Sequence, residues 1–137
     1  GGTFIYDYNK FREYLDSKIK VVYNDKEVTL SVMPRIESDD VYVPVRDIFE
    51  LAGADVSWDS DNQTATTVKR GKRASFVIGN NIANCSGKII NMVKAPYIRN
   101  DKMIVSLKAA AEMLGLDIGW DNEESLIVIK DLSLGGK

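Results

Sequence analysis

The residues that follow the first tryptophan are the first candidates for chemistry in this sequence. The stretch Asp59-Ser60-Asp61-Asn62-Gln63 offers oxygen atoms at alternate positions, as the start of a calcium-binding loop does. Such a loop also needs a Gly at its sixth position and a Glu at its twelfth, and this sequence has neither there. We therefore favour a solvated polar turn and predict no metal site.

Two tryptophans, Trp58 and Trp120, could provide flat faces on which a sugar ring stacks. Side chains alternate along a strand, so Trp58 shares a face with Val56, and Trp120 shares a face with Ile118. Because those neighbours are apolar, core packing is the favoured interpretation for both tryptophans. An exposed aromatic that binds carbohydrate is the alternative.

Four cations surround a predicted hairpin tip at Gly71, namely Lys69, Arg70, Lys72 and Arg73. Such a tip could contact anionic polymers of a cell wall. Charged residues are also common at hairpin tips because they keep the protein soluble, so a solvated turn is favoured over a binding site.

The composition argues against catalysis. The chain has no histidine and a single cysteine, Cys85, so it lacks the commonest general base and any pair of thiolates for zinc. A hydrolase that uses Asp59 and Asp121 as paired carboxylates is the remaining enzymatic hypothesis, but nothing supplies a nucleophile or an oxyanion site. We predict no catalytic residue and no cofactor. A net charge of -2 indicates no nucleic-acid partner, and no apolar run is long enough to span a membrane.

The elements that would hold these residues are repeated after 62 positions. Identical pairs at this shift include Pro34 and Pro96, Val43 and Val105, Glu50 and Glu112, Gly53 and Gly115, Asp55 and Asp117, Trp58 and Trp120, and Asp59 and Asp121. The shift predicts two tandem copies of one unit.

Each copy has the signals of hairpins, a strand and a short helix. Asn24-Asp25 suits a tight hairpin turn, and residues 41–43 read as a strand that leads into a helix with Pro44 in its first turn. Apolar residues of that helix recur at helical spacing, as do those of its copy, which has Ser106 as the predicted N-cap. The predicted fold class is α+β, mainly antiparallel sheet with one short helix per repeat.

The predicted organisation has four parts. Residues 1–18 form an N-terminal helix and linker, in which the apolar stripe predicts a helix over about 8–17. Residues 19–81 are the first repeat, residues 82–131 are the second repeat, and residues 132–137 are a linker stub.

The pattern VPVRDIFELAGADVSWD at 43–59, followed by VSLKAAAEMLGLDIGWD at 105–121, resembles the copper amine oxidase N-terminal-like domain, also called a stalk domain. The resemblance covers about residues 19–130. The second copy departs from the family pattern, with Ser106 in place of Pro and Lys108 in place of Arg.

The resemblance implies an extracellular or cell-wall-associated accessory module of Gram-positive bacteria, attached to other domains. It does not imply amine oxidation, since the catalytic domain of those enzymes needs imidazole ligands for copper. We expect a non-catalytic stalk or spacer whose partners are the flanking domains of the same polypeptide. A module that binds cell-wall polymers or carbohydrate, through residues 69–73 or an exposed aromatic, is the alternative.

Overall fold

The computed structural model describes residues 19–37, 40–121 and 123–132. Within these ranges the chain forms thirteen strands and two helices. The strands are β1 (Lys20–Tyr23), β2 (Lys26–Val28), β3 (Arg35–Glu37), β4 (Asp40–Pro44), β5 (Asp55–Asp59), β6 (Thr64–Lys69), β7 (Lys72–Val77), β8 (Ile82–Cys85), β9 (Lys88–Asn91), β10 (Tyr97–Arg99), β11 (Lys102–Ser106), β12 (Leu116–Asp121) and β13 (Leu126–Asp131). The helices are α1 (Val45–Leu51) and α2 (Leu107–Leu114). The helix predicted over 8–17 and the linker beyond Leu132 lie outside the described residues.

Two-residue hairpin turns set the register of the strands. Asn24 and Asp25 both have positive φ, at 48° and 69°, as do Arg70 and Gly71, at 51° and 79°. A turn with two left-handed residues matches the twist of the strands on either side, so both predicted turns form tight hairpins.

The two helices begin in different ways. Ser106 is the N-cap of α2, as predicted, and its hydroxyl accepts a hydrogen bond from the amide of Ala109 at 3.1 Å. Pro44 was predicted inside the first turn of α1, but it is the last residue of β4 and keeps an extended ψ of 128°. Pro44 therefore ends the strand and makes no side-chain cap.

Three sheets make up the fold, and we name them A, B and C. Sheet A has the strand order β12-β13-β1-β2, sheet B has β10-β11-β4-β3, and sheet C has β5-β6-β7-β8-β9. All pairs are antiparallel except β1 with β13, which are parallel. The coarse prediction of a mainly antiparallel α+β fold with short helices is confirmed.

The segments 19–81 and 82–131 share the order of four strands, a helix and two strands, to which the first segment adds β7, and they interlock through all three sheets. Sheet A joins β1 and β2 to β12 and β13, and sheet C joins β5, β6 and β7 to β8 and β9. In sheet B, β4 pairs with β11 so that Val43 lies opposite Val105, two residues that are 62 positions apart. Neither segment therefore completes a sheet without the other.

One large apolar cluster lies between the sheets and the helices. Helix α1 packs against β5 and β11, while α2 packs against β12 and β4. At the centre, Phe49 of α1 and Phe76 of β7 are buried edge to face, with ring centroids 5.8 Å apart.

A buried carboxylate of the first segment holds the start of α2 in the second. One oxygen of Asp40 accepts hydrogen bonds from the amides of Val41 at 2.7 Å and Lys108 at 3.1 Å. The other oxygen accepts a hydrogen bond from the Ser106 hydroxyl. Asp40 thereby satisfies the Lys108 amide, a donor of the first helical turn that has no partner inside the helix.

We expect the substitution Asp40→Ala to lower the free energy of unfolding by about 2–3 kcal/mol, because it leaves buried donors at the start of α2 unpaired. The matched control is Lys102→Ala at the corresponding position of the second segment, which is exposed. Its effect should stay within about 0.5 kcal/mol. Urea unfolding of both variants measures the difference, and equal effects would contradict this role of Asp40.

Candidate functional site

Trp58 is the most exposed of the candidate aromatic side chains. It points to the same face of sheet C as Val56, as predicted, and it lies opposite the buried Ala65. Yet 41% of its surface is exposed, so the favoured interpretation of core packing is wrong for Trp58. Strand β5 is an edge strand of sheet C, but β12, which carries Trp120, is likewise an edge strand of sheet A, so the edge position alone does not account for the exposure.

Trp58 forms one wall of a groove of about 410 Å³. The groove also contains Ile98, which is 46% exposed, and the charged residues Arg46, Asp101 and Lys102. An aromatic face next to an apolar side chain, with a few polar groups at the rim, is the usual composition of a small-molecule or sugar site. Asp101 and Lys102 could not be assigned to this site from the sequence, because the hairpin β10–β11 reaches it only through the pairing of β11 with β4.

Trp120 has a different environment from Trp58. Its ring is partly buried against the core, as predicted, and the Lys108 Nζ lies 5.9 Å from the ring centroid. The corresponding residue in the first segment, Arg46, instead donates to Glu50 at 3.1 Å and to the Val56 carbonyl at 3.1 Å. The Trp58 face therefore stays open while the Trp120 face is covered.

The basic hairpin is not uniformly a solvated tip. Lys69 Nζ lies 3.9 Å from the buried carboxylate of Asp131, and only 14% of the Lys69 side chain is exposed. Lys72 Nζ donates to the Met113 carbonyl near the end of α2 at 3.4 Å. Lys69 thus faces the body of the domain, which corrects the solvated-turn interpretation for this residue. Arg70, Lys72 and Arg73 are exposed, as expected.

The acceptor of the Lys69 ion pair belongs to a buried network at the end of β13. The Tyr23 hydroxyl donates to an Asp131 oxygen at 2.7 Å. Burial first, and then the hydrogen bond and charge of Asp131, raise the pKa of Tyr23 well above its ordinary value. Tyr23 therefore keeps its proton and remains a donor to Asp131 at neutral pH.

The acidic stretch after Trp58 is a polar turn that binds its own backbone. One oxygen of Asp59 accepts from the amides of Asp61 at 3.0 Å and Asn62 at 3.2 Å, and the other accepts from the Asn62 side chain at 2.8 Å. Asp121 accepts two amides in the same way in the second segment. Among the described residues, no group of three or more His, Cys, Asp or Glu side chains is placed to hold a metal ion.

The remaining candidates lie apart from one another. Asp59 ends β5 in sheet C and Asp121 ends β12 in sheet A, so the two carboxylates of the enzymatic hypothesis belong to different sheets. Cys85 is buried on β8. In the part of the chain that the structure describes, no helix is both long and apolar enough to cross a membrane.

The family model described as the copper amine oxidase N-terminal domain matches residues 22–129. No curated protein matches the chain.

The Asp59 turn makes a prediction about pH. The side-chain hydrogen bond from Asn62 and the two amide hydrogen bonds lower the pKa of Asp59 below its ordinary value. The ionised carboxylate therefore stabilises the fold above its unfolded pKa, and this contribution is lost as the pH falls through the folded pKa. Asn62→Ala should raise the pKa of Asp59, as measured by carboxyl-carbon NMR titration. Ser60→Ala, which removes no donor to Asp59, should leave that pKa unchanged, and an unshifted pKa in Asn62→Ala would contradict the assignment.

Proposed function

The chain belongs to the copper amine oxidase N-terminal domain family, a non-catalytic accessory domain, and from this premise we propose that it is a stalk or spacer of a larger extracellular protein of a Gram-positive bacterium. The observation that carries the proposal is the interlocking of the two segments through all three sheets. A single body whose two segments share one large apolar cluster holds whatever is attached to it at a fixed separation. The partners are the flanking domains of the same polypeptide, and the location is the cell surface or the cell wall.

The spacer also has a proposed origin, in which 19–81 and 82–131 are two copies of one unit. Three observations support this. Both segments share the order of four strands, a helix and two strands, the first residues of α1 and α2 are 62 positions apart, and the central pair Val43 and Val105 has the same offset. When two copies of a unit contribute strands to the same sheets, the domain becomes longer and its copies still share one core.

The spacer role is tested in the full-length polypeptide on intact cells. Replacing this domain by a Gly/Ser linker of equal residue number should leave the intrinsic activity of each flanking domain within about twofold, because the domain supplies no catalytic group. The surface exposure of the outer flanking domain, measured by antibody binding to whole cells, should fall because a flexible linker does not hold a fixed separation. The control replaces the domain by an unrelated folded domain of similar length, which should restore exposure. Loss of flanking-domain activity in both replacements would contradict a spacer role.

A second candidate function, carbohydrate binding at the cell wall, is favoured by the open face of Trp58. An exposed aromatic ring beside Ile98 offers the apolar platform that a pyranose ring needs, and Arg46 and Lys102 can donate to its hydroxyls. The basic hairpin is the weaker version of this function, because Lys69 and Lys72 already contact groups of the domain itself.

We expect Trp58→Ala to weaken retention on purified Gram-positive cell walls by about tenfold or more, because the stacking platform is lost. The double variant Arg70→Gln/Arg73→Gln should be retained on the walls to within about twofold of the unchanged protein, since it leaves the groove intact. Co-sedimentation with walls measures both. If the double variant lost retention and Trp58→Ala kept it, the hairpin would be the binding surface. Equal retention of the unchanged protein, Trp58→Ala and the double variant would rule out wall binding through either surface.

A further inference from the structure

A second cavity lies under the basic hairpin, and we propose that it binds a small carboxylate with an apolar body, of about the size of benzoate. The cavity has a volume of about 240 Å³ and shares no lining residue with the Trp58 groove. Its walls include the buried side chains of Phe49, Ala74, Cys85 and Met113. The proposal is therefore independent of the spacer role and of carbohydrate binding in the Trp58 groove.

The strand register separates an apolar floor from a cationic mouth. Thr67 lies opposite Ala74, and Ala74 lies opposite Cys85, so these three side chains form one row across β6, β7 and β8. The next row toward the hairpin tip pairs Lys69 with Lys72. A ligand that spans the two rows meets apolar groups at one end and positive charge at the other.

Thr67 supplies a polar group to the wall of the cavity. Its side chain lines the cavity, and the residue is only 2% exposed. A hydroxyl can donate as well as accept, so Thr67 can donate a hydrogen bond to an acceptor that enters the cavity.

The charge at the mouth favours an anion. Lys69, Arg70 and Lys72 line the cavity, and the Asp131 carboxylate balances one of these three charges through its contact with Lys69. Lys72 donates to a neutral carbonyl, that of Met113, which leaves its charge unbalanced. A carboxylate between the two rows can accept from the Thr67 hydroxyl and from the cations of the mouth.

The volume selects the size of the ligand. A cavity of about 150 Å³ lined by apolar residues is large enough to bind benzene, so 240 Å³ leaves room for a ring and a carboxylate. Drug-sized ligands need about 300 Å³ or more. The ring of benzoate would pack against Phe49 and Met113, with its carboxylate directed toward Thr67 and the mouth.

The test is an amide-resolved NMR titration of the full chain at pH 7 with benzoate, and with benzyl alcohol as its neutral counterpart. Saturable shifts should cluster at residues 67–74, 85 and 113–114, with a Kd of about 1 mM or tighter. Benzyl alcohol should bind at least about tenfold more weakly, because it gains no charge-assisted hydrogen bond. The absence of saturable shifts with benzoate, or equal affinity for the two probes, would overturn the proposal.

Two variants and a matched control locate the site. Thr67→Val keeps the shape of the side chain and removes its hydroxyl, and Arg70→Gln removes one charge of the mouth, so each should raise the Kd of benzoate by about fivefold or more. Arg73→Gln removes a charge from the same hairpin at a residue that does not line the cavity, and it should change the Kd by less than about twofold. If Thr67→Val fails to fold, the comparison of the benzoate Kd of Arg70→Gln with that of Arg73→Gln tests the site by itself. Equal weakening by both would show a diffuse charge effect of the hairpin instead of a site.

Discussion

The antiparallel pairing of β4 with β11 is the constraint on which the rest of the structure depends. Each strand leads directly into a helix, so this pairing also fixes where α1 and α2 begin. Each helix then packs partly on the strand that precedes the other, α1 on β11 and α2 on β4. The buried Asp40 cap, the hairpin beside Trp58 and the exchange of hairpins between sheets A and C all follow from this arrangement. A change that weakened it would disturb both segments at once.

A shared framework carries two different sets of side chains. Ser106 caps α2 at the position where Pro44 ends β4, and Lys108 covers Trp120 at the position where Arg46 turns away from Trp58. These two positions therefore distinguish the surroundings of Trp120, which packs against the core, from those of Trp58, which borders a groove. Strand β7 adds a second difference. In sheet C it lies between β6 and β8, whereas in sheet A the strand that corresponds to β6, β13, pairs directly with β1. The cavity under the basic hairpin depends on this extra strand, which supplies Ala74 and Lys72.

The sequence predicted the features that depend on neighbouring residues. The turns at Asn24-Asp25 and Arg70-Gly71 and the cap at Ser106 follow from local backbone chemistry, and the resemblance to the family is confirmed by the match over 22–129. The exposure of Trp58 could not be predicted, because alternation along a strand identifies its face but not whether another element covers it. The partial burial of Lys69 could not be predicted either, since its partner, the carboxylate of Asp131, is 62 positions further along the chain. The repeat boundaries and the N-terminal helix stay predictions.

The parallel pair β1 and β13 gives the domain a mechanical property. The first and last described strands lie side by side over four residue pairs, from Lys20 opposite Leu126 to Tyr23 opposite Ile129. A tension that enters the chain before β1 and leaves it after β13 pulls these two strands along their axes in opposite directions. Their hydrogen bonds then share the load in shear and do not open one after another from one end. A domain that joins its first strand to its last in this way resists being pulled apart along the line of the polypeptide.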